Sequence, residues 1–255
     1  MNNKRRPSLV PALDKGFDIL KFMVTASEPQ TLTQISRSVG RSVSEIQRMV
    51  ACLQQRSYLV RNSEGAFQLS SKLFRLAHAH PLHRNLLARA IPAMEDCQNQ
   101  TNETVLFSII AEDRLLLLGQ VKGRERVRLT LQPGLSQDPL QAVSGRCILS
   151  DWTGDELGSW MKRRSLSQRE REDLLKHLAL IRKRGFDESI SETIEGVHGV
   201  SVPVTLPGGR TIASVGTPWL QLRHTASKQA LLVRHLRTAA QRIARAYEPN
   251  SQVSQ

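Results

Sequence analysis

A chain of 255 residues exceeds one minimal module and suits two domains, each able to bury its own core. No apolar run approaches membrane-spanning length, and the basic start from Met1 to Arg6 lacks the apolar stretch of a secretory signal. Cys52, Cys97 and Cys147 lie far apart, which argues against a disulfide framework and a zinc site and fits a reducing cytoplasm. The formal net charge is +13, and between Met1 and Leu82 stand 12 Lys and Arg against 5 Asp and Glu. Neutralising phosphates releases counterions, so nucleic acid is the partner such an excess favours; a merely solvated surface is the plain alternative.

In chain order, residues 1–8 read as a flexible basic tail. Lys4, Arg5 and Arg6 there are either a phosphate-seeking arm or a plain tail. A helix follows with Leu13, Phe17, Leu20 and Met23 on one stripe at helical spacing. Glu28-Pro29 breaks it. A short helix runs from about Thr33, which can cap its start, to Val39, and Gly40 ends it. The next helix begins near Ser42 and carries Val43, Ile46, Met49, Val50 and Leu53 on its inner side. Two short strands, Tyr58 to Arg61 and Ala66 to Leu69, flank the turn Asn62-Ser63-Glu64-Gly65.

Helix, Gly-bearing turn, helix and hairpin within residues 9–70 make a winged helix-turn-helix. Its recognition helix must bury one face and offer short polar and cationic groups on the other. Arg41, Ser44 and Arg48 fall together opposite the apolar side, with Gln47 at the edge. Arg can grip guanine, Gln can pair with adenine, and Ser42 and Ser44 are short enough for close approach to phosphate. Thr33 joins this set from the preceding helix. Arg61 on the wing points to a phosphate or the minor groove, or else to a solvated turn beside the mildly repulsive Glu64. The expected partner is double-stranded operator DNA.

A linker helix is expected over 71–83, then a domain over 84–248 and a tail over 249–255. Pro81 divides the helical pattern, and Pro92 is expected to kink or interrupt its second part. Strands are expected at Val105 to Ile110, Leu115 to Val121, Val127 to Leu131, Val200 to Thr205 and Ile212 to Thr217, with Pro207-Gly208-Gly209 as a hairpin turn. Helices are expected at Ala142 to Asp151, Asp155 to Lys162, Ser167 to Arg184 and Ala226 to Tyr247. His78, His80 and His83 straddle a helix break and are poorly spaced for a metal. Cys147 reads as a buried small hydrophobe rather than a thiol sensor. Trp152, Trp160 and Trp219 read as core or interface residues. No phosphate-binding glycine loop and no nucleophile with a base is present, so no cofactor and no enzyme activity are expected.

Leu13-Asp14-Lys15-Gly16-Phe17-Asp18-Ile19-Leu20, Leu32-Thr33-Gln34-Ile35, Gly40 through Leu53 and Tyr58-Leu59-Val60-Arg61 resemble the IclR-type bacterial regulators. So do Asn102-Glu103-Thr104-Val105, Pro139-Leu140, Ser144-Gly145-Arg146, residues 181–186 and Glu195-Gly196-Val197. The likeness spans about Ser8 to Tyr247. It implies an α+β chain: an N-terminal winged helix-turn-helix, a linker helix, and a C-terminal GAF-like α/β sensor domain with a mainly antiparallel sheet. It also implies a homodimer or dimer of dimers on DNA, with a small organic acid or aromatic metabolite as effector. A ligand-independent regulator whose second domain only oligomerises is the competing expectation.

The resemblance carries an effector site over to Ser144, Gly145, Ser189, Gly199, Ser201, Ser214 and Gly216. This chain departs from the family there. Ser189 stands where an acidic residue is usual, with Asp187 and Glu188 near enough to substitute. Gly199 replaces a cysteine and Gly216 a serine, while Ser214 remains. The stretch Gln141 to Gly145 is about one residue short and lacks a common histidine. Smaller side chains at facing positions open volume, which favours a larger or differently oriented effector over a site that has lost ligand binding.

Overall fold

The computed structural model describes residues 9–79, 81–190, 196–220 and 225–247. The chain divides into two compact units, Met1–Pro81 and Leu82–Gln255.

The first unit opens with α1, Pro11–Thr25, whose proline suits a first turn with no N–H to satisfy. Its core stripe is Ile19 and Met23, with Phe22 packed beside them. Leu13 and Phe17 are 54% and 50% exposed, so the expected stripe is largely the outer one. Two apolar stripes run along this helix, and periodicity alone does not say which turns inward.

Helix α2, Leu32–Val39, is capped by Thr31 and not by Thr33: Gln34 N–H donates to Thr31 Oγ1, and the Thr31 backbone N–H donates in return to Gln34 Oε1. Gly40 closes α2 at φ +64°, a conformation that a Cβ would strain. Ser42 then caps α3, Val43–Gln55, with Glu45 completing the reciprocal box. Ile46 and Val50 of α3 close on Ile19, Ile35 and Leu59, and burying each is worth roughly 1.5–3 kcal/mol. Val43, expected inside, is 39% exposed. The wing is β1, Leu59–Arg61, paired antiparallel with β2, Phe67–Leu69. A further helix α4, Lys72–Ala79, follows, and α5, Pro81–Thr101, starts on its proline. Helical structure continues through Pro92, so the expected interruption does not occur.

The second unit is a six-stranded antiparallel sheet in the order β5-β4-β3-β8-β7-β6. The strands are β3 (Val105–Ala111), β4 (Arg114–Val121), β5 (Ser136–Gln137), β6 (Asp187–Ile190), β7 (Val197–Thr205) and β8 (Thr211–Leu220). One main core joins Val200, Val202, Val204, Ala213 and Val215 to α5 and to α9, Thr225–Tyr247. A second core, around Cys147, Trp160 and Leu178, ties together α6 (Val143–Leu149), α7 (Gly154–Arg163) and α8 (Gln168–Arg184).

Two strand expectations change. Val127 to Leu131 is loop, because β4 takes its next partner further on: Leu117 N–H donates to Leu135 O, and Gly134 N–H to Leu117 O. β6 escapes hydrophobic patterning because it is short and begins Asp-Glu-Ser.

Candidate functional site

The exposed side of α3 carries Ser44, Gln47 and Arg48, preceded by a half-buried Arg41. The turn between α2 and α3 is pinned from inside: Ser36 Oγ donates to Arg41 O at 2.6 Å, and Arg41 N–H returns to Ser36 O at 3.0 Å. Ser42 sits at the start of the exposed face, but its hydroxyl already serves the cap and lies 3.1 Å from Ser44 Oγ. Lys15 of α1 reaches Glu45 at 3.0 Å. The Ser42 backbone N–H, the Lys15 ammonium and the Ser42 hydroxyl together pull Glu45 down to about 2. That negative charge is therefore neutralised locally instead of opposing an incoming phosphate.

Thr33 is exposed on α2. Arg61 folds back over its own wing, its Nε donating to Gly65 O at 3.0 Å and its guanidinium lying 5.6 Å from the Phe67 ring. Reaching a groove would require Arg61 to leave that contact. The basic tail lies outside the described residues, as do the side chains of His78, His80 and His83. Among the described residues no group of three or more His, Cys, Asp or Glu could hold a metal ion.

In the second unit a cavity of about 460 Å³ opens between the start of α6 and the sheet. Ser144, Ser189, Gly199 and Gly216 line it, with Leu106, Leu131, Leu140, Val143 and Pro218 supplying apolar wall and Gln137, Gln141, His198 and Thr217 polar wall. Gly145, Ser201 and Ser214 do not line it. Gly145 packs directly on Pro139, where a Cβ would overlap the carbonyl. Ser201 is buried behind Ser144, accepts its hydroxyl bond at 3.3 Å and passes the chain on to Val215 O at 3.1 Å. Ser214 is fully buried in the sheet and its hydroxyl has no partner among the described residues.

The expected acidic substitutes are also turned elsewhere. Asp187 is 4% exposed and receives Arg146 Nε at 2.6 Å and His177 Nε2 at 2.9 Å. Glu188 accepts from Gln229 and pairs with Arg184 at 3.6 Å. Arg146, the cation on the cavity wall, is thus bound to Asp187 and also donates to Leu140 O at 2.7 Å. The sequence carries no local signal for this triad, because its members come from α6, α8 and β6. Cys147 is buried, its thiol donates to Ser201 O at 3.1 Å, and burial pushes its pKa up, all of which suits packing and not redox sensing. Trp160 and Trp219 are core residues. Glu112 and Asp113 form a turn at positive φ that Arg163 grips through two bonds.

Capped helices presenting polar groups beside a wing, joined to a second domain with a cavity, define a two-domain winged-helix DNA-binding protein. Residues 12–63 match the IclR helix-turn-helix domain, and residues 78–245 match the bacterial transcriptional regulator IclR C-terminal domain. The chain belongs to the IclR family of bacterial transcription regulators, which are DNA-binding proteins and not enzymes. It is 25% identical over 251 residues to the HTH-type transcriptional regulator KdgR of Dickeya chrysanthemi, covering 94% of this chain and 80% of that one. The Thermotoga maritima IclR crystal structure superposes with a TM-score of 0.76 at 22% identity, covering 92% and 98%. An IclR homologue from Microbacterium hydrocarbonoxydans complexed with 4-hydroxybenzoate gives 0.76 at 21% identity, with coverage of 92% and 98%. Among the described residues no helix is long and apolar enough to cross a membrane.

Proposed function

We propose that operator binding by this regulator is modulated by a small organic acid or aromatic metabolite held in the 460 Å³ cavity of the second domain. The observation that carries this reading is the cavity itself: a domain that only oligomerises has no need to keep such a space open behind Ser144, Ser189 and Gly199. Its apolar walls suit a flat or aliphatic body. The hydroxyls and amides around them suit a hydroxyl or carboxylate. Thermal-shift screening against organic and aromatic acids, 4-hydroxybenzoate included, tests it, since a ligand at 100 times its Kd stabilises by about 2.7 kcal/mol. Gly199 has room, a Cβ meeting only Val143 at 3.4 Å, so Gly199→Met fills the space. The shift should vanish in that variant while its own melting point holds. A panel in which no compound moves either the melting point or DNA affinity would leave the ligand-independent reading.

The reading includes at least a dimer, because one winged helix covers one half-site and two on a common body raise affinity through effective concentration. The outer stripe of α1, with Leu13 and Phe17, and the half-exposed Leu76 of α4 are apolar surfaces that a second copy would cover. Sedimentation at micromolar concentration checks this, and a monomer there would sink it. Leu73→Asp with Leu76→Asp should weaken self-association together with operator affinity; loss of monomer stability alone would point to folding back within the chain.

A further inference from the structure

The basic surplus is not confined to the helix-turn-helix. After β4 the chain reads Lys122-Gly123-Arg124-Glu125-Arg126-Val127-Arg128, four cations against one acid in seven residues. All four side chains are exposed. Elsewhere in this unit the arginines are mostly committed. Arg114 bonds Ser136, Arg163 grips Asp113, Arg164 meets Asp138, Arg182 bonds Ser150 O and Arg242 meets Asp96. Among the described residues none of the four loop cations is in an ion pair. Arg128 makes one long bond, 3.4 Å, to Glu125 O within the loop.

The loop is nonetheless anchored. Gly123 N–H donates to Thr104 Oγ1 at 3.0 Å and Arg124 N–H to Asn102 O at 3.0 Å. A Cβ on Gly123 would come within 2.7 Å of Asn102 O, so glycine is required to seat the loop there. Like charges crowded on one short loop repel, and the single carboxylate of Glu125 leaves a net charge of about +3 that an external polyanion would relieve. A dense array of exposed, unpaired guanidinium groups matches repeated phosphodiesters, since Arg binds phosphate bidentately.

We infer that the loop 122–128 is a second, sequence-independent DNA-backbone contact, lying in the domain otherwise assigned to sensing. Each phosphate neutralised adds about 0.9 to the slope of log affinity against log salt, so four cations contribute up to about 3.6 per protomer. The test uses the full chain and a 60-bp duplex of random sequence, titrated by fluorescence anisotropy from low to moderate salt. The quadruple variant K122Q/R124Q/R126Q/R128Q should lower the slope by at least about 2. A charge-matched control, K162Q/R169Q/K176Q/K183Q, removes four exposed cations from α7 and α8 and should change it far less. An unchanged slope in the loop variant, or equal changes in both, overturns the contact. Loop-dependent capture of polyglutamate with an unchanged DNA slope would overturn it too and identify an acidic protein as the occupant. Should the quadruple variant melt early, R126Q/R128Q alone, further from the Gly123 anchor, should still lower the slope by about half as much.

Discussion

The helix α3 and the cavity of the second unit both carry polar groups, but they are assembled over different distances along the chain. On α3 the hydroxyl and carboxylate that shape the face bond within three residues of each other, Ser42 with Glu45, and Lys15 adds one ion pair from further off. At the cavity the partners are remote: Ser144 with Ser201 across 57 residues, Cys147 with Ser201 across 54, and Arg146 with Asp187 across 41. The exposed side chains Ser44, Gln47 and Arg48 stand on an already finished helix and can be lost singly. Two groups on the cavity wall, Ser144 and Arg146, reach through it to Ser201 and Asp187 and so join α6 to the sheet, and His177 ties α8 to the same Asp187. Substitution there is read first as stability and only then as ligand binding.

The largest expected effect breaks the cavity's long-range pair. Asp187→Ala leaves Arg146, whose side chain is 15% exposed, without its carboxylate, and removing one partner of a buried pair costs about 3–5 kcal/mol. Urea unfolding followed by the tryptophans, all in this unit, measures it. A loss under about 1 kcal/mol would mean that the triad does not hold α6 to β6, and the contrast drawn above would fall. Replacing Arg146 and Asp187 together with apolar residues of similar volume should recover much of the loss.

Next in size is Arg48→Ala on the recognition helix. If Arg48 reads a base, operator affinity should drop by about 1–3 kcal/mol with specificity relaxed at one position. Stability should stay within about 0.5 kcal/mol, as for an exposed side chain with no hydrogen-bond or ion-pair partner to abandon among the described residues. Equal affinities in a competition assay would remove Arg48 from the DNA surface. A melting point that fell with the affinity would blur the distinction between the two regions.

The same difference in reach decides what could be read in the sequence. Helix α3 was legible because Ser42, Glu45, Ile46 and Val50 declare cap and core within nine residues, and Gly40 marks the stop before them. The strands β3, β4, β7 and β8 were legible as apolar runs ending in turns. Where the reading slipped, two local patterns were equally good or none was present. Thr31 and Thr33 both precede a helical run, and only Gln34, three residues after Thr31, separates them. Leu13 and Phe17 compete with Ile19 and Met23 for the core, and packing decides. Of the carried-over effector positions, alternation on a strand cannot tell Ser189, at the cavity, from Ser201, hidden behind Ser144. Asp187 illustrates the limit: two residues from Ser189, it faces Arg146 and His177, a choice made by α6 and α8.

The smallest effect sharpens the local side of the comparison. Glu45 titrates near 2 in the folded chain, chiefly through the Ser42 N–H and then through Lys15, whereas an unfolded glutamate titrates near 4.5. Its folded value is depressed, so its contribution to stability is fully present above the unfolded value. It is lost as the pH falls from about 4.5 towards 2, and neutral pH lies outside that window. Because the carboxylate is solvent-exposed, water screens the interaction and the loss should be slight. Carboxyl-detected NMR titration reads the site directly. A wild-type midpoint in the ordinary carboxylate range would show that the cap and Lys15 do not hold this charge. Lys15→Met should move the midpoint part of the way up and no further, since the Ser42 backbone N–H, the larger cause, stays in place. A full return to the unfolded value in that variant would mean that the distant lysine, rather than the three-residue cap, governs the start of the recognition helix. The contrast in reach between the two sites would then have to be redrawn.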